Sequence, residues 1–214
     1  MAPQETLPRR GQPRAASADI RHRAAAERTR DTLLLDITEI DRLAYRLHGR
    51  DITRQQFIEE CVRFTAEAVD CTRCGLWVFP RSDSGRILRC LGMYDRRAEH
   101  MVNVEDRQED SSAAYFRALE DTGHVLANEA RTHPATEAFY ERGLRPQGVQ
   151  SLMAAAFSLN GKLFGAFTCS QVGEPMAWSI RQLSILTRIG SRATLALAST
   201  SSSQLDSFLV DLEP

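Results

Sequence analysis

Lysine is nearly missing from this chain: of 27 basic side chains only Lys162 is not an arginine, and 28 acidic residues bring the formal net charge to −1. With neither sign in surplus, no global field draws the chain to nucleic acid or to an anionic membrane, and neither partner is expected. No apolar run approaches the length of a membrane span, and the arginines and prolines of residues 1–30 leave no room for the apolar core of a secretory signal. The expected compartment is the cytoplasm.

Chemical machinery is scarce too. No glycine-rich phosphate loop opens a helix, no Gly-x-Ser-x-Gly elbow occurs, and no catalytic carboxylate pair stands out. The five histidines, His22, His48, His100, His124 and His133, never pair at helical metal-ligand spacing. No catalytic residue, metal or cofactor is therefore expected. An odd count of five cysteines without a secretory signal argues against a disulfide framework. Cys71 and Cys74 form a lone Cys-x-x-Cys at a strand entrance, with no second pair at zinc-ribbon spacing, so both are expected buried, reduced and metal-free.

What is present is a pattern of elements. A length of 214 residues suits one or at most two domains with a substantial core. Residues 1–19, rich in Pro, Arg and Ala, read as a disordered tail, and residues 200–214 as a flexible one containing the short apolar piece Phe208-Leu209-Val210. Between them, residues 20–48 predict a helix whose Leu33, Ile37, Ile40, Ala44 and Leu47 recur at four- and three-residue steps, a bundle seam. A second helix starts at Thr53, which caps it while Gln56 reaches back, with Phe57, Cys61, Phe64 and Ala68 along one side. Strands are expected at 73–79 and 86–94, and a third near 100–104. Then come a helix (111–121), a strand (124–127), a polar excursion at Arg131-Thr132-His133-Pro134 and a helix (135–143). Apolar runs at 151–159 and 163–169 flank Asn160-Gly161, a strong hairpin signal. The last helix, about 178–198, repeats the seam with Leu183, Leu186, Gly190, Ala193 and Leu197.

Several segments resemble the GAF family of sensory domains, in particular a subgroup found beside histidine kinases and cyclic-dinucleotide enzymes. They are Tyr115-Phe116-x-x-Leu119-Glu120, Asn128 to Thr136, Gly148 to Met153, Gly161-x-x-x-Gly165, Cys169-Ser170-Gln171-Val172-Gly173 and Trp178, with Arg73 to Phe79 and Leu88 to Asp95 as a first strand pair. The resemblance covers residues 51–199. It implies an α+β fold: a central antiparallel sheet of five or six strands with helices on both faces, the N- and C-terminal helices forming a bundle. It implies a ligand pocket lined by Trp77, Tyr115, Phe116, Asn128, Glu129, Phe139, Arg142, Ser151, Met153, Cys169 and Gln171. It also implies a homodimer through Leu33, Ile37, Ile40, Leu47, Leu183, Leu186 and Leu197, with residues 20–48 as the dimerisation helix.

The chain departs from that subgroup's pattern where carboxylates would stand. Asn128-Glu129-Ala130 replaces a double aspartate, His133 precedes Pro134, Ala154 takes an aspartate's place, and Ser170-Gln171 follows Cys169. Cyclic nucleotides are disfavoured because Asn128 and Phe139 lack the matching downstream acidic pair. A bilin is disfavoured because no cysteine lies in the helix after the polar excursion. The expected function is a non-catalytic sensory or regulatory module taking a small-molecule ligand or a signalling partner protein. A cysteine-dependent enzyme such as a free methionine sulfoxide reductase, or a ligand-free structural adaptor, are the alternatives.

Overall fold

A computed structural model describes residues 38–82, 85–108, 112–159 and 161–200. The two expected tails, the first part of the N-terminal helix with Leu33 and Ile37, and turn residue Asn160 lie outside the described residues. Helix α1 (38–48) leads to α2 (Arg54–Val69), then strands β1 (Arg73–Val78), β2 (Arg81–Ser82), β3 (Gly85–Asp95), β4 (His100–Met101) and β5 (Arg107–Gln108). Helix α3 (Ala113–Thr122) precedes β6 (His124–Ala127) and α4 (Glu137–Phe139). A π turn (Tyr140–Leu144) and a 3-10 turn (Arg145–Gln147) then lead to β7 (Val149–Leu159), β8 (Lys162–Val172) and α5 (Ile180–Ser199). The strand path is β2-β3-β1-β8-β7-β6, antiparallel throughout, with β4 and β5 paired to β3.

Two predicted signals operate as the chemistry requires. Thr53 Oγ1 accepts from the Gln56 amide at 3.1 Å while Gln56 Oε1 accepts from the Thr53 amide at 2.8 Å, a reciprocal cap that fixes the start of α2. Ser179 and Gln182 repeat it at the start of α5. The β7–β8 hairpin forms around Gly161, whose φ of +77° is a conformation that favours glycine.

Strand alternation sorts the side chains to two faces. On one, Cys74, Leu76, Met153, Phe167 and Cys169 are buried beneath α2 and α5. Gly190 lets α5 settle on the sheet: a Cβ there would come within 3.2 Å of Phe167 Cδ2. This member of the expected seam thus seats α5 on its own sheet. Packing on α2 turns slightly from the predicted stripe, burying Phe57, Ile58, Cys61, Val62, Thr65, Ala66 and Val69 and leaving Phe64 and Ala68 half-buried.

Helix α1 runs parallel to α5. Asp41 Oδ1 lies 3.9 Å from Arg192 Nε and His48 Nε2 lies 2.6 Å from Ser199 Oγ, with seven residues between contacts on each helix. The expected dimer seam is largely spent inside the chain. Ile40, Leu47, Leu186 and Leu197 are buried and Leu183 half-buried within one copy, because they face the sheet and the neighbouring helices rather than outward. Among the described residues the large apolar side chains left outside are Tyr45, Ile180 and Leu195, 78%, 73% and 63% exposed.

Candidate functional site

The other face of the sheet has a floor of small side chains. Ala127 on β6, Ala154 on β7 and Ala166 on β8 are fully buried. Gly75 belongs to the same floor, where a Cβ would meet Met93 Cε at 2.9 Å and Trp77 Nε1 at 3.0 Å. The polar groups of the floor satisfy one another: Trp77 Nε1 donates to Thr168 Oγ1 at 3.0 Å, and Thr168 Oγ1 donates to the Gly75 carbonyl at 3.4 Å. Above it, α3 and the 137–147 segment bring large rings. Tyr115 meets Phe116 edge-on at 6.2 Å and Phe139 at 5.7 Å, and Phe116 meets Phe79 at 4.9 Å. Trp77, Tyr115, Phe116 and Phe139 are each at most 8% exposed and belong to one continuous core cluster. Burial pushes the Tyr115 hydroxyl well above the ordinary tyrosine range, so it stays neutral.

At the rim, Arg86 lies 4.9 Å over the Phe116 ring and pairs with Glu120 at 2.6 Å. Nothing in the sequence singled out Arg86; its signal is its place in β3 next to the α3 aromatics. His133 sits in the polar excursion, its Nδ1 accepting from the Ala135 amide at 3.1 Å, and desolvation lowers its pKa against a partly opposing Glu137. Glu129 and Arg142 are exposed at the margin.

Five of the predicted ligand residues do not join this site. Met153 and Cys169 pair across β7 and β8 on the helix-covered face, two residues from Ala155 and Phe167 respectively, and are fully buried there. Ser151 Oγ donates to the Asn128 carbonyl at 2.6 Å and accepts from the Met176 amide at 2.7 Å, while Asn128 Oδ1 accepts from the Trp178 amide at 2.9 Å. Ser151 and Asn128 are thus occupied in clasping the connection between β8 and α5. Gln171 Oε1 accepts from Thr72 Oγ1 at 3.0 Å, an anchor between β8 and the start of β1.

Cys169 instead belongs to a nest of thiols beneath α2. Cys74 opposes it across the β1–β8 pair, Cys71 precedes β1 with its thiol donating to the Arg73 carbonyl at 3.2 Å, and Cys61 lies on α2; all four are fully buried. Desolvation raises the pKa of Cys61, Cys74 and Cys169, which holds them as inert thiols. The expected burial of Cys71 and Cys74 is met. Cys90 lies apart on β3, half-buried, with its pKa pushed up to about 11 by burial. Among the described residues no group of three or more His, Cys, Asp or Glu is placed to hold a metal ion, and no helix is long and apolar enough to cross a membrane.

The helix that was expected over 135–143 is not one helix. It is one turn of α-helix, a π turn and a 3-10 turn in succession. The Thr136 side chain bonds back to the Ala130 carbonyl at 2.6 Å rather than capping a helix, and Gly143 and Pro146 interrupt the segment beyond Tyr140.

A sheet in this order, with α2 and α5 on one face and an aromatic cluster under α3 on the other, is the architecture of a GAF domain. The GAF domain model matches residues 53–197, and the chain belongs to that family. Solved GAF domains have the same fold. One is the phycoerythrobilin-bound domain of a cyanobacterial phytochrome, 12% identical, covering 77% of this chain and 95% of its own, with a TM-score of 0.63. Another is the domain of an Acinetobacter phosphoenolpyruvate-protein phosphotransferase, 14% identical, covering 80% and 93%, with a TM-score of 0.55. A cyanobacteriochrome GAF domain is 18% identical, covering 69% and 91%, with a TM-score of 0.52. No curated protein matches the chain.

Proposed function

We propose that the chain is a non-catalytic sensory or regulatory module of the cytoplasm, working as a homodimer and taking a small molecule on the sheet face beneath α3 and residues 137–147. Its output is a signalling partner protein. The observation that carries this reading is the division of the sheet. One face is closed by α2 and α5, and the other is covered by an apolar lid of short, mixed helical turns over a floor of alanine and glycine. A cover of interrupted helical turns over a small-residue floor suits a ligand site, whereas a purely structural core gains nothing from interrupted helices.

Ala154, at the centre of that floor, supplies the test. Native mass spectrometry of the purified protein should give a dimer carrying a small-molecule mass. Ala154→Leu should lose that mass while keeping a cooperative thermal transition. A dimer that carries no small molecule, with no change of melting temperature across a metabolite panel, favours the ligand-free adaptor and refutes the sensory reading.

A further inference from the structure

The chemistry of the lining narrows what such a ligand is. The side chains that pack over this face, from Trp77 and Met93 on the sheet to Tyr115, Phe116, Phe139 and Tyr140 above it, form one apolar cluster. Its floor hydrogen bonds are already closed between Trp77, Thr168 and Gly75. An ion placed there would lose its hydration without gaining a counter-charge, at a free-energy penalty that burial of the rest of the ligand does not offset. The nearest guanidinium, that of Arg86, is engaged with Glu120 and with the outer face of Phe116. A flat ring meets no such penalty, because Ala127, Ala154 and Ala166 put only methyl groups on the sheet there and Tyr115 already packs edge-on with another ring.

The chain itself holds a ring in that position. Phe139 sits against Tyr115 at 5.7 Å with the planes 80° apart, and it is carried by the last residue of a three-residue helix that passes directly into the π turn. Of the elements over this face, α3 is a regular helix of ten residues, whereas the Phe139 segment passes from an α to a π to a 3-10 turn between Glu137 and Gln147. We infer that the ligand of this face is an uncharged, flat compound of one or two aromatic rings, which enters by displacing the Phe139 ring from its place against Tyr115. The inference rests on the ligand-face reading above. It also separates this chain from the bilin-bound neighbours, since a bilin is a far larger compound than one side-chain ring.

Three bicyclic probes of nearly equal shape test it on the full chain: neutral indole, anionic indole-3-carboxylate and cationic tryptamine, each titrated against melting temperature and tyrosine-region NMR signals. Indole alone should raise the melting temperature of the wild type. Phe139→Ala, or Phe139→Leu if the alanine variant does not fold, should bind indole about tenfold more tightly, because the ligand no longer competes with the resident ring. Ala154→Leu should abolish the response. Binding of either ion as tightly as indole overturns the ligand class but leaves the site standing. Indole binding to Phe139→Ala with none to wild type overturns the displacement. An indole response that survives Ala154→Leu places the compound elsewhere, and the ligand-face reading falls with it.

Discussion

Arg73 and Asp95 lie directly opposite each other at the end of the β1–β3 pair, with Nε 2.5 Å from Oδ2 and both side chains largely buried. The same guanidinium donates to the Gln147 carbonyl at 3.2 Å, and the other carboxylate oxygen accepts from the amides of Arg97 and Ala98. One pair thereby ties the sheet to the turn after β3 and to the 3-10 turn that ends the lid. Asp95→Ala leaves a buried guanidinium without its counter-charge and should destabilise the protein by about 3 kcal/mol, measured by urea denaturation. A loss under about 1 kcal/mol would show that water takes over the role of the carboxylate.

That carboxylate also sets an acid limit. Burial opposes its ionisation, but the Arg73 hydrogen bond and charge together with the two amides outweigh it and hold the pKa below the ordinary value. A depressed carboxylate contributes stability above its unfolded pKa and loses it as pH falls through the folded one. Stability of the wild type should therefore fall more steeply than that of Asp95→Asn below about pH 4. Parallel curves would contradict this.

His133 acts at a different pH. Its Nδ1 accepts a backbone hydrogen bond, which requires the neutral ring, and desolvation lowers its pKa in the folded state. The unfolded chain then takes up the proton first, so this contribution is complete above about pH 6.5 and is lost as pH falls below it. The melting temperature of the wild type should drop between pH 7.5 and 5 by more than that of His133→Asn. Equal drops would assign the effect to other groups.

Dimer formation now points to different side chains than the sequence pattern did. Charged substitutions of Tyr45 and Leu195, both exposed on the outer sides of α1 and α5, should give monomers with an unchanged melting temperature. Ile40→Asp should unfold the chain instead, since Ile40 is fully buried. Light scattering and a thermal melt on each variant distinguish the cases, and a dimer that survives both outer substitutions refutes this surface.

Gly165 gives the sharpest packing prediction. A Cβ there would lie 2.1 Å from the Trp77 carbonyl oxygen and 2.4 Å from Phe157 Cζ, so Gly165→Ala should cost about 3 kcal/mol. Gly190→Ala, 3.2 Å from an aromatic edge that can shift, should cost clearly less. The ranking is checked by denaturant midpoints, and the reverse order would refute it.

Much of the fold was legible because its signals are local. The Thr53 and Gln56 cap, the hairpin at Gly161 and the 124–127 strand each depend on residues a few positions apart. The site was less legible for a reason internal to strand geometry. The pocket lining expected from Ser151, Met153 and Cys169 ignores that successive residues of a strand face opposite sides, so Met153 cannot share the face of Ala154. Applying that alternation strictly would have selected Leu152 and Ala166 instead. The broken 135–143 helix and the thiol nest depend on tertiary neighbours far away in sequence, such as the Cys74 and Cys169 pairing, and no local pattern announces them.

Strand β8, the last of the chain, lies in the middle of the sheet with β1 on one side and β7 on the other. Until residues 162–172 are in place, β1–β3 and β6–β7 are two separate fragments, each with an unsatisfied edge. Joining them closes a loop of about ninety residues between β1 and β8, so folding has to wait for a distant contact and should be slow for a domain of this size. On the ribosome, the half-finished sheet offers open strand edges through most of its synthesis.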